Sequence, residues 1–197
     1  MADLFIHLAI AKRYNEKHSG EIMDTTRFYD GNVMPDIVSD KEASHYGKRS
    51  NGDLIKRNLE KVGLAKFLES NSLDNDFNRG VFLHLYTDWE FYNNFLCKEY
   101  MKAVSMSDFH ADIIYSGFFH DNYISKTHSV SLDMTSIKDQ VEKVIAIWQK
   151  KDFERWGNKT DFGKLLFSQA ELDAFIERIS SVDLETLAKQ ITDGKQG

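Results

Sequence analysis

The chain reads as an all-α single domain, and three observations lead there. It holds one proline in 197 residues. Apolar residues recur at helical spacing through most of its length. A reciprocal helix-cap signature stands near the C-terminus. Folds built on turns use Pro and Gly freely, whereas a chain with so few breakers sustains long helical periods. The pattern predicts helices over 3–18, 41–46, 52–70, 75–104, 107–124, 134–152, 168–180 and 183–192.

Taken in order, the first helix carries Leu4, Leu8, Ala11 and Tyr14 on one stripe, with His7 at its edge. A histidine there is either a satisfied core residue or a ligand. Asp30 to Asp36 is the Pro-bearing segment. Pro35 fixes its own φ and biases Met34 toward extended geometry, which predicts a rigid loop aiming Asp36 in one direction. The alternative is an ordinary turn with Asp36 as a helix N-cap. The short 41–46 helix presents His45, beside the basic pair Lys48-Arg49. The 75–104 helix is aromatic-rich, with Phe82, Tyr86, Trp89, Phe91, Tyr92 and Phe95 covering more than one face. Such a run is core, a lining for an apolar substrate, or a homodimer interface. Ser168-Gln-Ala-Glu171 is a capping box opening Leu172, Phe175, Ile176 and Ile179 at helical spacing. The whole of 1–197 is expected to form one domain, with metal-site elements within 1–125 and helices 134–192 packed on them.

Composition narrows the partners. At 42% hydrophobic and 13% aromatic, the chain can bury one substantial core. A net charge of −6, with both signs interspersed, argues against a stable nucleic-acid complex and leaves a nucleotide substrate open. Cys97 is the sole cysteine, so there is no disulfide framework and no thiolate zinc cluster, and any metal falls to His and carboxylate. The N-terminal residues lack a basic region and a long apolar region, and no run of 18 apolar residues occurs. A soluble, cytoplasmic protein of bacterial style, with no transmembrane segment, is expected.

Two stretches read as parts of one metal site: Asn32 to Asp36 followed by His45, and Phe82 to Trp89 with His84 and Asp88. Residues four apart on a helix emerge from one face, so an imidazole and a carboxylate so placed can hold one ion of the Zn, Fe, Ni or Mn type. The spacing alone is weak, since composition yields about 0.7 such pairs by chance. The context weighs more, because His84 and Asp88 lie among large apolar residues where unpaired polar groups are expensive to bury. Together the two stretches make a metal-dependent hydrolase the leading reading.

The succession of His7, Gly31 to Asp36, Ser44-His45-Tyr46 and Phe82 to Asp88 resembles the zinc-dependent phospholipase C family and its uncharacterised bacterial relatives, over about the first 100 residues. The resemblance implies a helical bundle of the phospholipase C and P1 nuclease type and phosphoester hydrolysis. It implies Asp36, His45, His84 and Asp88 as the principal metal site, with Asp88 bridging to a second ion held partly by His7. Secreted members of that family use a processed N-terminal tryptophan and a later His-x-x-x-Glu pair as ligands. This chain has neither, so one or two ions are expected rather than three, with His110, Asp112, His120 and Asp121 as candidate additional ligands.

In that chemistry the ion polarises a phosphoryl oxygen and activates water. Asp36 or Asp88 orients the water, and Lys48 and Arg49 clamp non-bridging oxygens of a small phosphoester substrate. Two other readings stand beside it. A His-Asp-type metal-dependent phosphohydrolase would use His120-Asp121 with Asp133. A helical interaction protein would keep a structural or vestigial metal site.

Overall fold

A computed structural model describes residues 3–48, 62–156 and 164–194. Helix α1, Leu4–Lys17, starts where the Asp3 carboxylate accepts the Phe5 N–H at 3.0 Å. It buries Leu4, Ile6, His7, Leu8, Ala9, Ile10, Ala11 and Tyr14. Burial on so many faces makes α1 a central helix rather than an amphipathic surface one.

Helix α2, Thr25–Ile37, overturns the expectation of a rigid loop over 30–36. The Asp24 carboxylate accepts the Arg27 N–H at 3.0 Å and opens the helix, and Pro35 lies within its last turn. There the proline forfeits one intrahelical bond, to the Gly31 carbonyl, while most of the helix runs on before it. Asp36 is therefore not a cap. Asp40 takes that role for the next helix, α3, Lys41–His45, by accepting the Ala43 N–H at 3.0 Å.

Residues 49–61, which hold Arg49 and the first part of the expected 52–70 helix, lie outside the described residues. Helix α4 spans Leu64–Ser70. An isolated antiparallel bridge between Tyr46 and Val62 joins the two flanks, and it is the only β pairing among the described residues.

The expected 75–104 helix is divided. Helix α5 runs Asp76–Glu90, a π-helical turn follows over Phe91–Phe95, and α6 covers Lys98–Ala103. The widened turn begins right after Glu90, two residues beyond Asp88, and the Phe91 N–H donates to the carbonyls of Asp88 and Thr87. Its aromatic residues are core: Phe91 and Tyr92 are buried, and the Phe95 ring packs tilted against Phe175 and Phe167, with centroids 4.5 and 5.0 Å away.

Helices α2 and α5 form the closest pair. A side chain on Gly31 would come within 2.0 Å of the Phe77 carbonyl oxygen, and one on Gly80 within 2.0 Å of the Phe28 carbonyl oxygen. Each glycine lets the opposing backbone into the space a Cβ would fill. The crossing brings the C-terminal end of α2, with Asp36, against the part of α5 that carries His84 and Asp88.

The remaining helices are α7, Met106–Thr127, α8, Lys138–Trp156, α9, Gln169–Ile179, and α10, Leu184–Thr192. The capping box at Ser168 and Glu171 forms as the sequence predicts. The C-terminal helices pack back on the first half of the chain. Glu177 of α9 pairs with Arg13 at 2.9 Å and Lys17 at 2.6 Å, and Glu185 of α10 pairs with Arg79 at 3.2 Å. Ahead of α8, Ser136 donates its N–H and hydroxyl to the buried Asp30 of α2, at 2.8 and 2.5 Å. The fold is all-helical, and among the described residues no helix is long and apolar enough to cross a membrane.

Candidate metal centre

Four helices deliver five side chains to one place. His7 comes from α1, Asp36 from the end of α2, His45 from the last residue of α3, and His84 and Asp88 from one face of α5. All five are buried, none more than 2% exposed. His7 Nε2 lies 3.4 Å from Asp88 Oδ1 and 3.9 Å from Asp36 Oδ2. His45 Nε2 lies 3.7 Å from Asp36 Oδ1, 3.5 Å from Asp88 Oδ2 and 3.3 Å from His84 Nε2. His84 Nε2 lies 3.8 Å from Asp88 Oδ2. Donor atoms about 2.0–2.2 Å from one ion stand about 3.3–3.6 Å apart in a tetrahedron, and the separations here run from 3.3 to 3.9 Å. Two sets are compact enough for an ion, His7 with Asp36 and His84, and His45 with His84 and Asp88.

The second nitrogen of two of these imidazoles decides what the first can do. His84 Nδ1 faces the Asn32 carbonyl at 2.7 Å. His45 Nδ1 faces the Lys41 carbonyl at 3.1 Å and the Ser44 hydroxyl at 3.0 Å, and that hydroxyl donates to the Pro35 carbonyl at 2.9 Å. A nitrogen aimed at a carbonyl carries the proton, so both Nε2 atoms present lone pairs. These two lone pairs face each other at 3.3 Å. Such an encounter is repulsive unless a proton or a metal ion stands between them. His7 is stacked on His84 with centroids 3.8 Å apart, and neither of its nitrogens has a hydrogen-bond partner among the described residues, nor has Asp36 Oδ1. Buried polar atoms in that state are costly.

Electrostatics favour a neutral His84 and an ionised Asp88. Burial holds the His84 pKa well below its ordinary range, and the neighbouring His7 and His45 reinforce this. Burial alone would raise Asp88, but the approach of His45 and His7 carries its pKa well below the usual carboxylate range. A set of imidazole nitrogens and carboxylate oxygens without thiolate suits Zn, Fe, Ni or Mn.

The sequence nominated these five candidate ligands and missed what holds them in place. Lys41 puts its ammonium on the carbonyls of Pro35 and Asp36, 3.7 Å from Asp36 Oδ1, while its own carbonyl orients His45. The Asn32 carbonyl orients His84. Backbone carbonyls leave no mark in a sequence, and a lysine five residues after an aspartate is too common to single out.

The other candidates lie elsewhere. Asp112 accepts from the Tyr100 hydroxyl and the Lys164 N–H. His120 is stacked on Phe167 and pairs with the Phe167 carbonyl at 2.9 Å. Asp121 is pushed up to about 9 by burial and by Asp3. His110 is half-buried on α7 beside Phe109. None of the four joins either ion-sized set among the described residues. Lys48 is exposed, and Arg49 lies outside the described residues. A surface cleft of about 580 Å³ between α1, α9 and the end of α7 lies apart from these ligands, and its charges are paired internally, Arg13 with Glu177 and His128 with Asp173, both at 2.9 Å. Comparison of the chain with protein-family models, curated proteins and solved structures found no match.

Proposed function

We propose that the centre formed by His7, Asp36, His45, His84 and Asp88 holds a catalytic metal ion and that the protein is a metal-dependent phosphoester hydrolase. The observation that carries the metal is the approach of His45 Nε2 and His84 Nε2 to 3.3 Å in a buried site, with the other nitrogen of each ring on a backbone carbonyl. The phosphoester class rests on the resemblance of the motif order to the zinc-dependent phospholipase C family.

When bound, an ion of this class supplies Lewis acidity toward a phosphoryl oxygen and makes water a nucleophile at neutral pH. The chain's own residues do the rest. His84 and His45 are held in one tautomer by the Asn32 and Lys41 carbonyls. The single lone pair of His84 Nε2 serves one ion, so the two ligand sets share one donor and a first ion is held more firmly than a second. Asp88, kept ionised beside two imidazoles, balances the charge of the ion. Asp36, with one oxygen toward His7 and the other toward His45, is placed to orient water or to take its proton.

Mass-spectrometric metal analysis of protein purified without added metal tests the first half, with an expected content of about one ion per chain. Assay on a phosphomonoester and a phosphodiester, before and after chelation, tests the second. Activity lost on chelation and restored by one metal supports the hydrolase. A second reading, a stabilising ion in a helical interaction protein, is favoured by the near-complete burial of all five ligands, since a structural site closes its shell with protein donors. Metal present, no turnover on any phosphoester and cooperative unfolding on chelation would establish that reading instead. The His-Asp arrangement finds no support among the described residues, because His120 and Asp121 stand outside both ion-sized sets.

A further inference from the structure

The expected clamp for substrate charge, Lys48 with Arg49, does not stand at the centre among the described residues, and another lysine does. Lys41 Nζ lies 3.7 Å from Asp36 Oδ1, and its side chain is 36% exposed while that of Asp36 is 3% exposed. It is the ammonium between solvent and the buried ligands at the Asp36 and His45 side of the centre. Three contacts fix it there: the carbonyls of Pro35 and Asp36, and the Trp148 ring of α8 at 5.2 Å. The carbonyl contacts satisfy acceptors that the end of α2 leaves without intrahelical donors. They use at most two of the three ammonium protons, so one donor direction remains.

We infer that Lys41 is the anion-binding residue of this site, pairing with an oxyanion, the phosphoryl group of the substrate, as that group meets the metal. The inference rests on the metal-site reading above and adds to it the residue that selects an anionic ligand. A fixed ammonium beside an ion suits a tetrahedral oxyanion with one oxygen for each cation, and a charge-assisted bond of this kind is about twice as strong as a neutral one. It disfavours a neutral ester, which would bring no charge to answer the lysine.

The test is titration calorimetry of inorganic phosphate into the zinc-loaded full chain at fixed ionic strength, with zinc content measured on the same samples. Wild type, Lys41→Met, Lys41→Arg and Lys48→Met are compared. Lys41→Met is expected to keep wild-type zinc content and to bind phosphate about tenfold more weakly, Lys41→Arg to recover to within about threefold, and Lys48→Met to match wild type within about twofold. Wild-type phosphate affinity in Lys41→Met would overturn the inference. So would an equal loss in Lys48→Met, which would make the effect one of net charge, or loss of zinc from Lys41→Met, which would make the lysine a support for the ligands only. Zinc-loaded wild type that ignores phosphate would overturn the inference and leave the metal site standing, whereas wild type that takes up no metal removes both.

Discussion

Replacing Gly80 with alanine sets two effects against each other, and the structure says which wins. By intrinsic propensity the substitution in the middle of α5 favours the helix by about 1 kcal/mol. The new Cβ, however, would sit 2.0 Å from the Phe28 carbonyl oxygen and 2.8 Å from the Asn32 nitrogen, both backbone atoms that no rotamer change can move. An ordinary carbon–oxygen contact needs about 3.3 Å, so α2 has to retreat from α5 by roughly 1.3 Å. Overpacking of this kind costs about 1–3 kcal/mol, enough to cancel the propensity gain of about 1 kcal/mol and leave a net loss of up to about 2 kcal/mol. The retreat also moves Asp36 away from His84 and Asp88 by several times the ~0.2 Å that metal–ligand distances tolerate. Zinc affinity should therefore fall at least about tenfold. Urea unfolding of chelator-treated protein reads the first effect and a competitive zinc titration reads the second. A Gly80→Ala protein as stable as wild type, or more so, with unchanged zinc affinity would refute the argument that this crossing sets the centre.

Three further outcomes are expected. His84→Ala and Asp88→Ala should each remove most of the metal, while His7→Ala leaves the first ion bound; mass-spectrometric metal content checks this, and full metal content in either α5 variant would exclude the pair as ligands. The metal-free protein should lose stability below about pH 6.5, because the unfolded chain protonates His84 near its ordinary pKa while the buried native imidazole stays neutral; a urea midpoint no lower at pH 5.5 than at pH 7.5 would contradict it. Asp121, raised from 3.8 to about 9, holds a proton in the native state that the unfolded chain has lost, so its contribution is full below pH 3.8 and drains away as the pH climbs toward 9. Asp121→Asn should accordingly gain over wild type in melting temperature at pH 8.5 relative to pH 5, and an unchanged gap would show that Asp3 and Asp121 do not share a proton.

The helical class and the clustering of the five candidate ligands were legible for different reasons. Sparse breakers and helical spacing are local signals, and they place α1, α7 and α9 within a few residues of their observed limits. The capping box at Ser168 was legible because both halves of it are side chains. Helix α2 was hidden by Pro35, whose usual effect is to end a helix, and here it does so only in the last turn. The break after Glu90 was hidden by unbroken aromatic character, since a π turn keeps the composition of the helix it interrupts. Asp36 was recognisable as a residue with a task, yet its companion Lys41 was not, because the carbonyls and the Trp148 ring that hold that lysine come together only in the folded chain.

The ligands enter from α1, α2, α3 and α5, so the centre spans positions 7 to 88 and no short stretch of chain holds more than two of them. A peptide of this sequence has no preformed metal affinity to speak of, because His84 and Asp88 alone supply two donors. On the proposed reading, helix formation, the glycine crossing of α2 and α5 and the seating of α1 would all precede uptake of an ion. Occupancy of the proposed site would therefore report on the finished first half of the protein, and a nascent or misfolded chain would take up less metal than the native fold.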